Sequence, residues 1–204
     1  LIFDEVVSGF GRIGTMFGYE HWKAQADIFT FAKGLSSGYI PIAATVVKEE
    51  IFEKFEGNLA DNLHFRQVNT FGGHPVSSAV AMKAIQIVED ENLPENARKM
   101  GDYILAQLKE KIGDHPYAGE VRGKGLLIGV ELVEDRQTKV PLPDPKVLGI
   151  VGHCIQNGII LGRNSNTVPG RCNVLLIAPP LIVTQSEADQ IVDTIAAAMG
   201  KAIN

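Results

Sequence analysis

The segment Phe29-Thr-Phe-Ala-Lys-Gly-Leu-Ser-Ser-Gly38, FTFAKGLSSG, decides the fold, because an apolar run typical of a buried strand ends at Lys33 and glycine follows at once. Burying an ammonium group is costly unless the group is paired or gives up its proton. Lys33 therefore has two interpretations. Its side chain extends to solvent at the end of a strand, or its amine is placed there to do chemistry.

A second apolar run, at the start of the chain, also ends in charged residues. Leu-Ile-Phe is followed by the acid pair Asp4-Glu5. Ligands of open α/β sheets bind outside the carboxyl ends of the strands, so we expect Asp4 and Lys33 to face one crevice. Their spacing of 29 positions along the chain allows a crossover back to the same edge of the sheet. A simple salt bridge between Asp4 and Lys33 is the alternative.

Composition excludes several classes of protein. The 204 residues carry a net charge of −5, which argues against a basic nucleic-acid-binding surface. No apolar run approaches the roughly 20 residues that span a bilayer, so we expect no membrane segment. Cys154 and Cys172 form no metal-binding pattern, which favours a reducing, cytoplasmic location. Because LIFDEVV begins inside an apparent strand, we expect the N-terminal part of a larger protein to be missing.

Alternating strand and helix patterns predict an α/β fold in two domains. Residues 1–93 are expected to be the C-terminal part of a large domain, and residues 94–204 a small α+β domain, with Pro94 breaking the helical pattern between them. The expected buried strands are Leu1–Phe3, Ile28–Ala32 and Ile42–Val47, and further short strands are expected as a pair within Val121–Val133 and at Gly158–Leu161 and Val174–Ile177. The expected helices are Pro75–Asn92, Glu95–Ile112, Lys146–Asn157 and Gln185–Met199.

The pairing of Asp4 with Lys33 favours a pyridoxal phosphate site. In such a site the lysine amine bonds to the cofactor aldehyde, and an aspartate keeps the pyridine nitrogen protonated. A charge-assisted hydrogen bond of this kind is worth about 1.5–3 kcal/mol.

Five ordered motifs make the hypothesis specific. They are LIFDEVVSGFGRIGTMFGYEHW, ADIFTFAKGLSSGYIPIAA, NTFGGHPVSSAVA, VRGKGLLIGVELVEDRQTK and NVLLIAPPLIVTQSEADQIVDTIAAAM. Together they resemble the class III, fold-type I pyridoxal-phosphate aminotransferases over essentially the whole chain. The resemblance implies part of the fold-type I large domain, a mostly parallel mixed sheet with helices, followed by the small C-terminal domain.

The resemblance also implies roles for individual residues. Lys33 matches the lysine that forms the Schiff base, Asp4 the partner of the pyridinium nitrogen, and Val6 the apolar side chain under the ring. Thr70 matches the threonine that reaches the cofactor phosphate of the neighbouring subunit, which implies a homodimer with shared active sites. The residues QVN before Thr70 depart from the family's usual His-Gly-x pattern there.

Two further departures bear on the substrate. Val7 replaces a glutamine found in many members, which favours the amine and taurine/β-alanine:pyruvate types. Leu176 stands where many amino-acid-specific members carry an arginine for the substrate carboxylate, which leucine cannot bind. Arg163 and Arg171 are the candidate replacements. A solvated loop charge is the alternative for either arginine.

The resemblance therefore implies a ping-pong transamination from an omega-amino acid or amine to a keto acid, expected to be pyruvate. Three alternatives stay open at this point. One is an aminomutase or decarboxylase of the same fold, and another is a cofactor-free imine enzyme of the aldolase type. The third is an inactive fragment, since the family's phosphate-binding Gly-Ser segment and ring-stacking aromatic residue lie upstream of the matched motifs.

Overall fold

The computed structural model describes residues 1–164 and 168–202. The chain divides into two compact units, Leu1–Pro94 and Glu95–Asn204. The assignment of residues 1–93 to a cofactor-binding domain, and of residues 94–204 to a small C-terminal domain, stays a prediction. No helix in the described part of the chain is long and apolar enough to cross a membrane.

The first unit is built on a three-stranded mixed sheet. Its strands are β1 (Ile2–Asp4), β2 (Ile28–Phe31) and β3 (Ala44–Val47), in that order. β1 and β2 run parallel, and β2 and β3 run antiparallel. All three strands are rich in β-branched or aromatic residues, which pack well on a pleated surface. The parallel pair brings the carboxyl ends of β1 and β2 to one edge.

Two α-helices complete the first unit: the short α1 (Glu49–Phe52) and the long α2 (Pro75–Asp90). The unit also contains short 3-10 turns, one of which, Lys33–Ser36, follows β2 and packs against α2. Phe10, Leu35 and Ala81 form its small buried cluster. This cluster joins the loop after β1, the turn after β2 and one face of α2.

The prediction that the strands of this unit are buried is wrong for the described chain. Ile2 is 62% exposed and Val46 is 52% exposed. β1 and β3 are the two edges of a three-stranded sheet, and a strand side chain is buried only where another layer packs on it. Among the described residues, α2 packs mainly on the 33–36 turn rather than across these strands.

In its described residues, the second unit is a four-stranded antiparallel sheet with three helices. The strand order is β4-β5-β7-β6, with β4 at Ala118–Lys124, β5 at Leu127–Leu132, β6 at Gly162–Arg163 and β7 at Val174–Ile177. The helices are α3 (Leu93–Ile112), α4 (Asp144–Gln156) and α5 (Gln185–Lys201). Their apolar faces and the sheet enclose one large core that includes Ile104, Leu108, Val130 and Ile195.

Two predicted elements differ in position. The strand expected at Gly158–Leu161 is absent, and β6 instead lies at Gly162–Arg163. Gly158 has a φ of +83° in the turn just after α4, and residues 159–161 lead from this turn to β6 without strand pairing of their own. Pro94 does not break the helical pattern, because it lies in the first turn of α3, where its missing N–H costs no helical hydrogen bond.

Candidate active site

Asp4 is the last residue of β1 and lies beside β2 at its carboxyl end. It is the register partner of Thr30. Thr30 Oγ1 donates to Asp4 Oδ1 at 3.3 Å, and the backbone N–H of Val6 donates to the same oxygen at 3.0 Å. Within the described residues, both hydrogen bonds to this exposed carboxylate end at Oδ1. The arrangement orients the side chain and directs Oδ2 away from these two donors.

Lys33 lies three residues beyond Thr30, after the end of β2, and its side chain is exposed. Its backbone has a φ of +41°, in the left-handed region. For a residue other than glycine this conformation costs about 1–3 kcal/mol of free energy, and it persists only where contacts with the surrounding structure enforce it. The turn is closed by the N–H of Leu35, which donates to the carbonyl of Ala32 at 2.9 Å.

The salt bridge that was the alternative for Asp4 and Lys33 is not found. Among the described residues, the ion pairs of the first unit join Asp27 with the N-terminus and Lys48, and Lys48 with Glu50. Lys33 takes part in none of them. Lys33 and Asp4 therefore stand at the carboxyl ends of neighbouring strands without forming an ion pair with each other.

Glu5, which the sequence analysis did not single out, is the buried acid of the pair, with only 1% of its surface exposed. Its carboxylate accepts hydrogen bonds from the Ser8 hydroxyl at 2.5 Å, the Gly18 N–H at 2.9 Å and the Tyr19 N–H at 2.8 Å. Successive residues of a strand point to opposite faces, which sends Asp4 outward and Glu5 inward. That alternation is the sequence signal by which it could have been found.

Val6 and Thr70 are placed differently. Val6 is half-buried directly after the acid pair. Thr70 is exposed in a turn ahead of α2, a turn in which the N–H of Gly72 donates to the carbonyl of Asn69 at 2.9 Å. Within the described residues no hydrogen bond joins Thr70 to Asp4 or Lys33. The roles expected for both residues stay predictions.

The two candidate arginines lie in the second unit, on either side of residues 165–167, which are outside the described residues. Arg163 is half-buried in β6, and its Nη1 donates to Asp144 Oδ1 at 3.2 Å. Arg171 is exposed, and its main-chain N–H donates to the carbonyl of Val168 at 3.1 Å. Arg163 thus already holds a carboxylate of its own chain.

The groups at the edge of the first sheet fit pyridoxal phosphate in their chemistry. The Asp4 carboxylate can accept a hydrogen bond from a protonated pyridine nitrogen, and the exposed amine of Lys33 can attack an aldehyde. Gly34 and the half-buried Val6 are small groups beside them. The described residues contain no cluster of side chains that could hold a metal ion. Within the same residues, Cys154 and Cys172 are buried and form no disulfide.

This mixed α/β chain has an amine and a carboxylate at the carboxyl ends of two parallel strands. It therefore falls in the class of α/β proteins that bind a ligand at this end of the sheet. The comparison with known families is more specific. Residues 1–199 match the family described as Aminotransferase class-III. The chain belongs to this family.

Named relatives agree with this family. An uncharacterized aminotransferase, YhxA, of Bacillus subtilis is 47% identical over 96% of this chain and 43% of its own length. A taurine–pyruvate aminotransferase of Rhodobacter capsulatus is 44% identical over 96% of this chain and 43% of its own. The chain thus spans less than half the length of these curated relatives.

Solved structures confirm the predicted fold class. An aminotransferase from Bacillus anthracis superposes with a TM-score of 0.95 at 46% identity, over 98% of this chain and 44% of that one. An (S)-enantioselective omega-transaminase from Thermomicrobium roseum gives a TM-score of 0.87 at 39% identity, over 100% of this chain and 44% of that one. The chain is therefore part of the fold-type I transaminase fold.

Proposed function

We propose that the complete protein in which this chain occurs is a pyridoxal-phosphate-dependent transaminase. It moves an amino group from a taurine- or β-alanine-like omega-amino acid, or from an amine, to a keto acid, with pyruvate as the acceptor. The two half-reactions alternate in a ping-pong sequence. Family membership supports the reaction class.

The observation that carries this proposal is the placement of Asp4 and Lys33. Asp4 ends β1, Lys33 follows the end of β2, and these two strands are parallel neighbours. Asp4 and Lys33 do not form an ion pair with each other. A carboxylate and a free amine at one sheet edge are what a ligand with a basic ring nitrogen and an aldehyde requires.

Each residue has a distinct part in the mechanism. When bound, pyridoxal phosphate supplies the aldehyde that takes up the amino group and a ring that delocalises the electron pair left by loss of the Cα proton. Asp4 would hold the proton on the ring nitrogen, and Thr30 and the Val6 N–H fix the Asp4 carboxylate. Lys33 would hold the cofactor through its Nζ amine. When that amine is free, it would act as the base that takes the proton from the substrate Cα and as the acid that returns this proton to the bound group.

Three observations support the substrate class. Relatives include taurine–pyruvate aminotransferases and, at 35% identity, a putrescine–pyruvate aminotransferase. Leu176, in β7, offers no charge to a carboxylate. We assign carboxylate binding to Arg163, with Arg171 as the second candidate, because the Arg163 guanidinium already binds the Asp144 carboxylate.

The proposal includes a homodimer with shared active sites and a cytoplasmic location. Thr70, in its exposed turn, is assigned to the cofactor phosphate of the neighbouring subunit. Its exposure is compatible with a contact outside its own chain. Cys154 and Cys172, which form no disulfide in the described part of the chain, are compatible with a reducing compartment.

The test compares the full-length protein with its Lys33→Ala variant. We expect the wild-type protein to bind pyridoxal phosphate with a visible absorbance band and to be trapped by borohydride at Lys33. It should consume taurine or β-alanine only when pyruvate is present. The Lys33→Ala variant should lose the trapped adduct and fall by more than about a thousandfold in rate, as expected when a covalent catalyst is removed.

Lys23 offers a matched control, because it is also an exposed lysine of the first unit with a left-handed backbone, φ +49°. Lys23→Ala should leave both the adduct and the rate unchanged. Full turnover by Lys33→Ala would refute the assignment. Donor consumption without any keto acid would point to an aminomutase or decarboxylase instead.

A further inference from the structure

The loop after β1 contains a buried carboxylate that the proposed mechanism does not use. Glu5 is 1% exposed, and within the described residues no cation lies within ion-pair distance of it. Burial of an unpaired charge is tolerated only where hydrogen bonds replace the lost water. Glu5 receives three such bonds, from the Ser8 hydroxyl and the N–H groups of Gly18 and Tyr19.

These bonds close a loop of residues 5–19 onto the end of β1, which we term the β1 loop. Gly18 permits the closure, because a Cβ there would lie 2.9 Å from Glu5 Oε2. The backbone of Glu5 adds a further bond, since its carbonyl accepts from the N–H of Gly9 at 3.0 Å. Hydrogen bonds to a charged acceptor are worth about twice those between neutral groups, so the carboxylate is the main anchor of the β1 loop.

Phe10, in the middle of the β1 loop, links this loop to the turn of residues Lys33–Ser36, which we term the lysine turn. Its ring packs edge-on against Phe17 at 5.6 Å and Phe31 at 5.5 Å between centroids. Gly34 lies directly against it, because a Cβ at Gly34 would be 3.1 Å from Phe10 Cβ. Leu35 belongs to the same buried cluster as Phe10. The β1 loop therefore packs on the two residues that follow Lys33.

Lys33 itself has the left-handed backbone, φ +41°, which an L residue adopts only when its surroundings enforce it. Two elements pack on the turn that follows Lys33: Phe10 of the β1 loop contacts Gly34 and shares a buried cluster with Leu35, and α2 packs on the same turn.

We propose that Glu5 is a positioning residue for Lys33: by anchoring the β1 loop it holds Phe10 against Gly34 and so keeps the Lys33 backbone in its left-handed conformation. The catalytic part of this inference rests on the function proposed above. Its structural part, the coupling from Glu5 to the lysine turn, stands on the contacts alone.

The test uses the full-length protein with Glu5→Gln. This variant keeps the shape of the side chain, but it removes the charge and replaces one acceptor oxygen by an NH2 group, which cannot accept a hydrogen bond from the N–H and O–H donors that surround Glu5. In the cofactor-free protein, amide hydrogen exchange should rise by about tenfold or more at Gly18 and Tyr19, as expected for the loss of charged hydrogen bonds. The same rise at Leu35, whose N–H closes the lysine turn, is the decisive result.

With cofactor added, Glu5→Gln should slow borohydride trapping at Lys33 by about tenfold, and kcat should fall while KM for the donor changes little. Glu20→Gln is the matched control, because Glu20 also accepts a backbone N–H, from Phe17 at 2.7 Å, but is exposed. It should leave Leu35 exchange and trapping unchanged.

Faster exchange at Gly18 and Tyr19 with unchanged Leu35 exchange and unchanged trapping would overturn the proposal. Where Glu5→Gln does not fold, Ser8→Ala, which removes a single donor to Glu5 Oε2, gives the same comparison in a milder form. Absence of any trapped adduct in the wild-type protein would refute the proposed function instead, and the exchange at Leu35 would still decide the coupling.

Discussion

Asp4 and Thr30 are register partners in adjacent parallel strands, and the Thr30 hydroxyl donates to Asp4 Oδ1 at 3.3 Å. This hydrogen bond joins two neighbouring strands of the sheet near the carboxyl ends of β1 and β2. The strand pairing therefore sets the orientation of the carboxylate that we assign to the cofactor ring.

Replacing Thr30 by valine removes this hydrogen bond and keeps the branched shape of the side chain. We expect kcat/KM of the full-length protein to fall about 2- to 10-fold, the rate equivalent of one hydrogen bond of about 0.5–1.5 kcal/mol. The affinity for pyridoxal phosphate should fall in parallel, measured by titration of the visible band. Thr45→Val is the control, since Thr45 is the β3 partner of Thr30 and lies one strand further from Asp4. Equal losses in both variants would contradict a specific role for Thr30.

The ion pair between Arg163 and Asp144 predicts how the enzyme selects carboxylates. Asp144 lies in the first turn of α4, where the helix N-terminus favours a negative charge. An exposed pair is worth only about 0.2–1 kcal/mol, so an incoming carboxylate can compete for Arg163. Asp144→Asn should lower KM for pyruvate by about 1.5- to 5-fold and leave KM for a carboxylate-free arylamine unchanged, as steady-state kinetics can show.

Glu95→Gln, which breaks the exposed pair with Arg98, is the control for a general effect of surface charge. An unchanged KM for pyruvate in Asp144→Asn, with a raised KM in Arg171→Ala, would transfer the carboxylate site from Arg163 to Arg171.

The sequence predicted those features of the site that lie where an apolar run ends. Asp4 and Lys33 interrupt such runs, and so their place at strand ends could be inferred from local pattern alone. Strand alternation distinguishes Glu5 from Asp4, but the hydrogen bonds that hold the buried Glu5 could not be predicted from a local pattern, because two of its donors are N–H groups 13 and 14 residues away. The position of β6 was missed for a similar reason: its pairing with Leu175 and Leu176 is a tertiary contact.

The burial of the strands in the first unit could not be predicted from the sequence pattern either. An apolar, β-branched strand is typical of a covered sheet, but exposure depends on which elements pack on it. Among the described residues, Ile2 and Val46 have little packed against them. The long helices α2 to α5, in contrast, were predicted within a few residues, because their periodicity and end signals are local, whereas the single-turn α1 was not predicted.

The pKa of Glu187 predicts a pH-dependent stability. Hydrogen bonds from the Thr184 N–H and hydroxyl, both at 2.8 Å, hold the pKa of the Glu187 carboxyl below its ordinary value of 4.5. Because the folded pKa is the lower one, this contribution is complete above the unfolded pKa and is lost as the pH falls through the folded pKa. Glu187→Gln should therefore destabilise the protein at about pH 7, and the effect should shrink progressively as the pH is lowered below the ordinary carboxyl pKa and through the folded pKa.

Denaturant midpoints of the two proteins at each pH give the comparison. Replacement of Glu89, an exposed carboxylate in α2, by glutamine should show no such pH dependence. A Glu187→Gln effect that persists unchanged in acid would show that the carboxylate charge is not what stabilises the start of α5.

Gly101 of α3 predicts the largest stability effect of a small substitution in the second unit. A Cβ at this position would lie 2.0 Å from the carbonyl oxygen of Gly125, in the turn between β4 and β5. Because backbone atoms cannot yield as a flexible side chain does, Gly101→Ala should destabilise the fold by about 1–3 kcal/mol, the usual cost of overpacking.

Gly149→Ala is the matched control in α4, since a Cβ there meets no described atom within 4 Å, and alanine should stabilise that helix by about 0.5–1 kcal/mol. Urea denaturation of both variants measures the difference, and a Gly101→Ala protein as stable as Gly149→Ala would mean that α3 does not approach the β4–β5 turn this closely.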